Sequence, residues 1–277
     1  MNYIKKIVSN KSEAKYIKMD LIESEGFIHK IILVEANFSH SGIKRTYQFQ
    51  EVIESDYFSK EEKSRLIYLK IDINKLVYKN TISFKELHLN ERVIRGKFVD
   101  YLTFNSTDII FSLDADEVLY RDSYGELINK VQKNNKAYQL KLTNVIYRPD
   151  YIWHSCRFIA PTVCYYGFYD NLFMKIKTRF KKYKQWRYHG EVIENPKGVH
   201  FNWHLTSKEM LSKIKNYSHA DQFTHIDSSE FLKECKKGKL FFWNTNIKNE
   251  IVVDKSYSLL PNSFSILKNE FSHLMED

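Results

Sequence analysis

An α/β fold with a mixed sheet flanked by helices is what this sequence predicts, and three observations carry the prediction. Apolar runs of strand length alternate with helical periodicity through the first half of the chain, which is the pattern of βαβ units. One of those runs, Asp108-Ile-Ile-Phe-Ser-Leu-Asp-Ala-Asp-Glu117, keeps its apolar residues in a row, as a strand buried on both faces does, and then ends abruptly in Asp114, Asp116 and Glu117. Beyond residue 133 the runs lengthen into strands of antiparallel type, so the sheet is mixed.

Taken in order, residues 4–9 read as a first strand and 12–25 as a helix capped by Ser12, with Tyr16, Ile17, Leu21 and Ile22 on one stripe. Residues 28–36 are a second buried strand, and 37–44, with Gly42, form the loop at its carboxyl end. A third strand is expected at 66–71, a helix at 86–101, the acidic strand at 108–113 and a helix at 123–133. Longer strands follow at 137–147 and 162–169, one more at 198–205, then helices near 207–219 and 229–237.

With 277 residues and only four prolines, the first at Pro149, the chain predicts a single domain with no Pro-rich linker in its first half. The apolar segment at the N-terminus is too short for a signal peptide, and no run approaches the ~20 apolar residues of a membrane span. No transmembrane segment and a cytoplasmic location are therefore expected. Cys156, Cys164 and Cys235 are scattered without a CxxC pair, against a zinc knuckle or a disulfide framework. A net charge of +9 implies affinity for anions without choosing among nucleotides, phospholipid headgroups, acidic glycans and nucleic acid.

Ligands of parallel sheets bind beyond the carboxyl ends of the strands, where the acids stand. Asp114 and Asp116 repel each other unless a cation lies between them, and hard oxygen ligands suit Mg²⁺ or Mn²⁺, whose natural companion is a diphosphate. A solvated acidic turn is the plainer explanation. The run into Asp114-Ala-Asp116-Glu-Val118-Leu119 also fits the first motif of haloacid-dehalogenase-like phosphatases, whose first Asp is a nucleophile. That motif normally sits near the chain start, and no late Gly-Asp acidic motif completes a magnesium site here.

Five blocks in order then resemble one family: Glu13-Ala-Lys-Tyr-Ile-Lys-Met-Asp-Leu, Ile31-Ile-Leu-Val-Glu35-Ala-Asn37-Phe-Ser-His-Ser-Gly42, Asp114-Ala-Asp116-Glu117, Gly198-Val-His200-Phe, and Lys213-Ile-Lys-Asn-Tyr-Ser-His219-Ala-Asp221. Together they resemble the family 17 glycosyltransferases, which include the animal enzyme adding the bisecting N-acetylglucosamine to N-glycans, over roughly residues 4–239; the chain is similar to the bacterial or viral type. The resemblance implies the GT-A fold, a Rossmann-like mixed sheet binding a UDP-sugar with a divalent metal at an Asp-x-Asp motif, and an inverting transfer. Within the single domain it implies a nucleotide-binding half at about 1–120, an acceptor-binding half at about 121–245 and a C-terminal extension at 246–277. Val199 stands where the family usually has Trp, Leu119-Tyr120 replaces a Pro, and the animal enzyme's anchor is absent, so the donor sugar and acceptor stay open.

On that footing Asp114 and Asp116 are the metal and diphosphate site, with Asp116 the more direct ligand, and His200 is a third ligand or a core residue. Glu117 either orients the donor sugar or caps the next turn. Glu35 is placed to accept the uracil imide N–H, and Ser9, Asn10 and Glu13 to hold base and ribose, with helix capping by Ser12 and a routine polar strand end the alternative. Arg95 is a diphosphate-facing base or an exposed helical arginine. An inverting transfer needs a base beside the acceptor hydroxyl: Asp221 comes first, then Glu191, then Glu117. The basic and aromatic run at 177–189 is a solvated loop or edge strand, or a lid over the diphosphate or an acidic acceptor; specific nucleic acid ranks last. The expected function is metal-dependent transfer of a sugar, N-acetylglucosamine first, from UDP to a hydroxyl of a glycan or lipid-linked acceptor, with peripheral association at the inner face of a membrane compatible. A phosphatase, or a non-catalytic glycan- or polyanion-binding protein, is the alternative.

Overall fold

The computed structural model describes residues 1–74, 77–81, 83–154, 158–168, 186–187, 190–204, 209 and 251–274. At its centre lie four parallel strands in the order β3 (Leu66–Ile71), β2 (Lys30–Ala36), β1 (Asn2–Ile7) and β4 (Ile109–Asp114). The sheet continues through antiparallel pairings to β8 (Phe158–Tyr165), β6 (Tyr138–Ile146), β7 (Tyr151–Trp153) and β11 (Ile251–Val253). Two strands run parallel to β6, β9 (Glu191–Ile193) and β10 (Gly198–Asn202), and β10 pairs antiparallel with β5 (Glu117–Leu119). The sheet is mixed, as expected.

The helices among the described residues are α1 (Ala14–Glu23), α2 (Phe49–Glu54), α3 (Lys60–Arg65), α4 (Phe84–Gly96), α5 (Arg121–Asn134) and α6 (Asn262–Leu267). Apolar side chains of β1, β2 and β4 alternate between two cores. One holds Ile4, Ile31, Leu33, Phe111 and Leu113 with Ile17 and Leu21 of α1 and Leu127 of α5; the other holds Ile32, Val34 and Ile110 with Val93 and Ile94 of α4. Covering both faces is what makes these strands read as unbroken apolar runs.

Several expectations shift in detail. The first strand covers Asn2–Ile7, and α1 is entered through a short 3-10 turn, Lys11–Glu13, capped by Asn10 and not by Ser12. Asn10 Oδ1 accepts from the Ser12 N–H at 3.2 Å, while the Glu13 carboxylate accepts from the Asn10 N–H at 3.0 Å and the Ser9 N–H at 2.6 Å. The expected strand at 162–169 begins at Phe158 and ends at Tyr165. The helices expected at 207–219 and 229–237 lie outside the described residues, apart from position 209.

Candidate active site

Parallel register sets the site. Ile7 of β1 lies beside Asp114 of β4, so the carboxyl ends of the central strands finish together at the acidic turn. The turn is held from below by Lys6, fully buried in β1. Its ammonium donates to the carbonyls of Asp114 at 3.1 Å and Glu117, and pairs with Asp20 of α1 at 2.5 Å. A buried ammonium needs such a complete set of partners.

The two aspartates have opposite surroundings. Asp114 is gripped by two guanidinium groups: Arg95 of α4 donates to both carboxylate oxygens, through Nη2 at 2.8 Å and through Nη1, and Arg187 bonds Oδ2. Arg95 is itself buried and anchored to Glu91 at 2.8 Å, so it is not an exposed helical arginine. Burial opposes ionisation of Asp114, but Arg187 and Arg95 outweigh it and hold its carboxyl well below the usual range. Glu117 is fully buried, accepts from the Asp114 N–H at 2.8 Å and from Arg187 Nη2 at 2.5 Å, and is pushed up to about 7 by burial with Arg187 acting against the shift.

Asp116 faces another way. Its carbonyl accepts from the Phe201 N–H at 2.8 Å, tying the turn to β10, and its Oδ1 lies 3.8 Å from Nε2 of His200. The imidazole is stacked on Phe158, ring centroids 4.0 Å apart, which fixes its plane. One carboxylate and one imidazole are a suitable protein share for Mn²⁺ or Mg²⁺, which fill the rest of their shell with substrate phosphates and water. Among the described residues no group of three or more His, Cys, Asp or Glu side chains gathers as a metal site. Both oxygens of Asp114 are engaged by arginines, whereas Asp116 is directed toward His200.

The other candidates are placed as follows. Glu35 caps α2: its carboxylate accepts from the N–H groups of Gln48 at 2.8 Å and Phe49 at 3.1 Å and from the Tyr68 hydroxyl at 2.5 Å, inside the core. Ser9, Asn10 and Glu13 close the capping box described above, at the carboxyl end of β1. Glu191 pairs with Tyr138 at the start of β6, whereas His200 pairs with Asn144, six positions further along that strand, or about 20 Å at 3.3 Å per residue. It is exposed, 3.3 Å from Lys136, and is not brought to the acidic turn. Asp221 lies outside the described residues.

Reading the sequence missed the roles of Lys6, Asp20, Glu91 and Arg187. Lys5-Lys6 inside an otherwise apolar strand was the available signal, because charges there demand buried partners. Arg187 lay within the basic run at 177–189 and had nothing to single it out.

A central parallel sheet with acids and arginines at its carboxyl ends defines an α/β protein. The model of glycosyltransferase family 17 matches residues 4–267, and the chain belongs to that family. It is a glycosyltransferase built on a mixed α/β sheet flanked by helices. Among curated proteins no sequence matches the chain. Solved structures with some likeness include S. aureus TarS 1–349 (TM-score 0.38, 11% identity, covering 83% of this chain and 68% of that one). The galactosyltransferase LgtC with donor and acceptor sugar analogues gives 0.33 and 6%, covering 50% of this chain and 46% of LgtC. The 4-diphosphocytidyl-2C-methyl-D-erythritol synthase of Anaerococcus prevotii gives 0.38 and 10%, covering 79% and 95%. Scores this low carry no argument; the fold class rests on strand order and family. The phosphatase and non-catalytic readings give way to the family assignment.

Proposed function

We propose that the protein transfers a sugar, N-acetylglucosamine first, from its UDP donor to a hydroxyl of a glycan or lipid-linked acceptor with inversion at the anomeric carbon. The observation that supports this reading best is the pair formed by Asp116 and His200, 3.8 Å apart beyond the carboxyl end of β4. These two side chains would hold Mn²⁺ or Mg²⁺, which when bound neutralises charge developing on the UDP leaving group. Arg95 and Arg187, both bonded to Asp114, would supplement the ion by facing the diphosphate. Asp221 is the proposed general base: the acceptor oxygen attacks the anomeric carbon, its proton passes to the Asp221 carboxylate, and the bond to UDP breaks. A lipid-linked acceptor would bring the protein to a membrane surface; no described helix is long and apolar enough to cross a membrane.

Calorimetric titration with UDP, with and without Mn²⁺, tests the metal assignment. Binding should depend on the ion and weaken at least tenfold, about 1.4 kcal/mol, in Asp116→Asn. Undiminished affinity in that folded variant would remove Asp116 from the metal site. Asp221→Asn should leave UDP affinity nearly unchanged while cutting turnover roughly 10²- to 10⁴-fold. Normal turnover would place the base elsewhere.

A further inference from the structure

Asn144 is a buried amide in a charged neighbourhood. It is 2% exposed, and neither its amide nitrogen nor its oxygen has a hydrogen-bond partner among the described residues. Leaving such a group unsatisfied costs roughly 1–3 kcal/mol, and few native side chains do so without a ligand, an ion or a water to answer them.

Its place in the sheet says what it faces. Asn144 of β6 is the register partner of His200 on β10, and His200 is the partner of Glu117 on β5. Partners across a ladder point to the same face, and successive residues to opposite faces. Val118, Val199, Val145 and Phe201, the neighbours in sequence, lie in the core against Tyr16 and Met19 of α1 and Phe264 of α6. The opposite face therefore carries Glu117, His200 and Asn144 together, next to Asp116, Phe158 and Arg187. Asn144 stands one strand spacing, about 4.8 Å, from His200. Both strands leave this level through bulky residues in the left-handed region, Tyr147 with φ 64° and Trp203 with φ 58°. Such conformations cost about 1–3 kcal/mol and cluster at ligand sites.

We infer that Asn144 binds hydroxyl groups of the transferred sugar. The inference rests on the proposed reaction and adds to it a substrate contact on a strand that no carboxylate marks. A primary amide offers two N–H donors and a carbonyl acceptor, and neighbouring sugar hydroxyls, each both donor and acceptor, satisfy all of them. A metal ion would use the oxygen and leave the amide hydrogens unmet. A phosphate would use the hydrogens and set its own charge against the oxygen. The sugar is the part of the donor attached to the diphosphate, and Asn144 is the ladder neighbour of His200, one of the two residues proposed to hold that diphosphate's metal.

The test uses Asn144→Leu, which keeps the number and branching of the side-chain heavy atoms and removes both polar groups. Two quantities are read: the melting temperature of the ligand-free protein, and affinities in Mn²⁺ for UDP, UDP-N-acetylglucosamine, UDP-glucose and UDP-galactose. The expected result is an unchanged or higher melting temperature, unchanged UDP affinity, and a UDP-sugar to UDP affinity ratio reduced about tenfold for the sugar that wild type binds best. A melting temperature lowered by several degrees in both Asn144→Leu and Asn144→Ala would assign the amide to a structural bond and overturn the inference. So would an unchanged affinity ratio in either folded variant, or a wild type that binds UDP but none of the four donors' sugars. A wild type that binds no UDP at all defeats the proposed reaction itself, and the inference with it, which is distinguishable from failure at Asn144 alone.

Discussion

Two pairs of residues close in sequence show how far environment decides the fate of one residue type. Asp114 and Asp116 are separated by a single alanine, yet the first is locked between Arg95 and Arg187 and the second turns toward His200. Lys5 and Lys6 are consecutive in β1 and point to opposite faces. Lys6 finds Asp20 and the carbonyls of the acidic turn, whereas Lys5 Nζ has no hydrogen-bond partner among the described residues and sits 5.6 Å from the Phe98 ring centroid. Burial, then the charges of Arg95 and Arg187, push the Lys5 amine well below its usual range. The folded protein thus holds that proton less tightly than the unfolded chain, so Lys5 opposes folding at neutral pH and its cost falls as the pH rises toward the unfolded value of 10.5. Lys5→Met should therefore stabilise the protein by about 1–4 kcal/mol, read as a higher denaturation midpoint at pH 7, with a smaller gain at pH 9. A lower midpoint at pH 7 would show that Lys5 has a partner worth keeping.

At the scale of elements, the site depends on a ladder too short to be seen in the sequence. β5 and β10 are three and five residues long, and their pairing sets His200 beside Glu117. Gly198 permits the approach: a Cβ built there would lie 2.2 Å from the Val118 carbonyl oxygen and 2.6 Å from the Leu119 Cα, both backbone atoms that cannot step aside. Gly198→Ala should separate the two strands locally, at a cost of about 1–3 kcal/mol. Metal-dependent UDP binding should fall along with stability; calorimetry and thermal melting read the two effects. Full stability with normal UDP binding would mean that the ladder does not position His200. The capping elements teach a related lesson. Glu35 and Glu13 are acids at strand ends, where a nucleotide would be met, but each satisfies backbone N–H groups at the start of a helical segment.

On the scale of the whole molecule, the C-terminal segment is part of the core. Phe271 is fully buried against Tyr16 of α1, Phe201 of β10 and Phe264 of α6, with centroid separations of 5.9, 5.9 and 5.1 Å. Glu23 fastens the same region to α1 and to the start of α5, accepting from the N–H groups of Ser263 at 2.7 Å and Arg121 at 3.0 Å. Phe271→Ala should cost about 3–5 kcal/mol and move a single cooperative urea transition to lower denaturant. A main transition left in place, with a separate early one, would show that residues beyond 250 fold as an independent appendage.

By itself the sequence determined the α/β class, the acidic strand end and the family. These rest on local information: apolar runs imposed by burial on both faces, and blocks of residues whose order survives in the chain. Leu66–Ile71 was legible to the residue because its apolar run ends where its pairing does. Only the tertiary structure decided that Asp114 is the acid held by guanidinium groups, because that depends on arginines 19 and 73 positions away from Asp114 that no local pattern points to. It likewise took Glu191 away from the site and brought Asn144 into it, since strand register, a property of pairs of segments distant in the chain, fixes which side chains share a face.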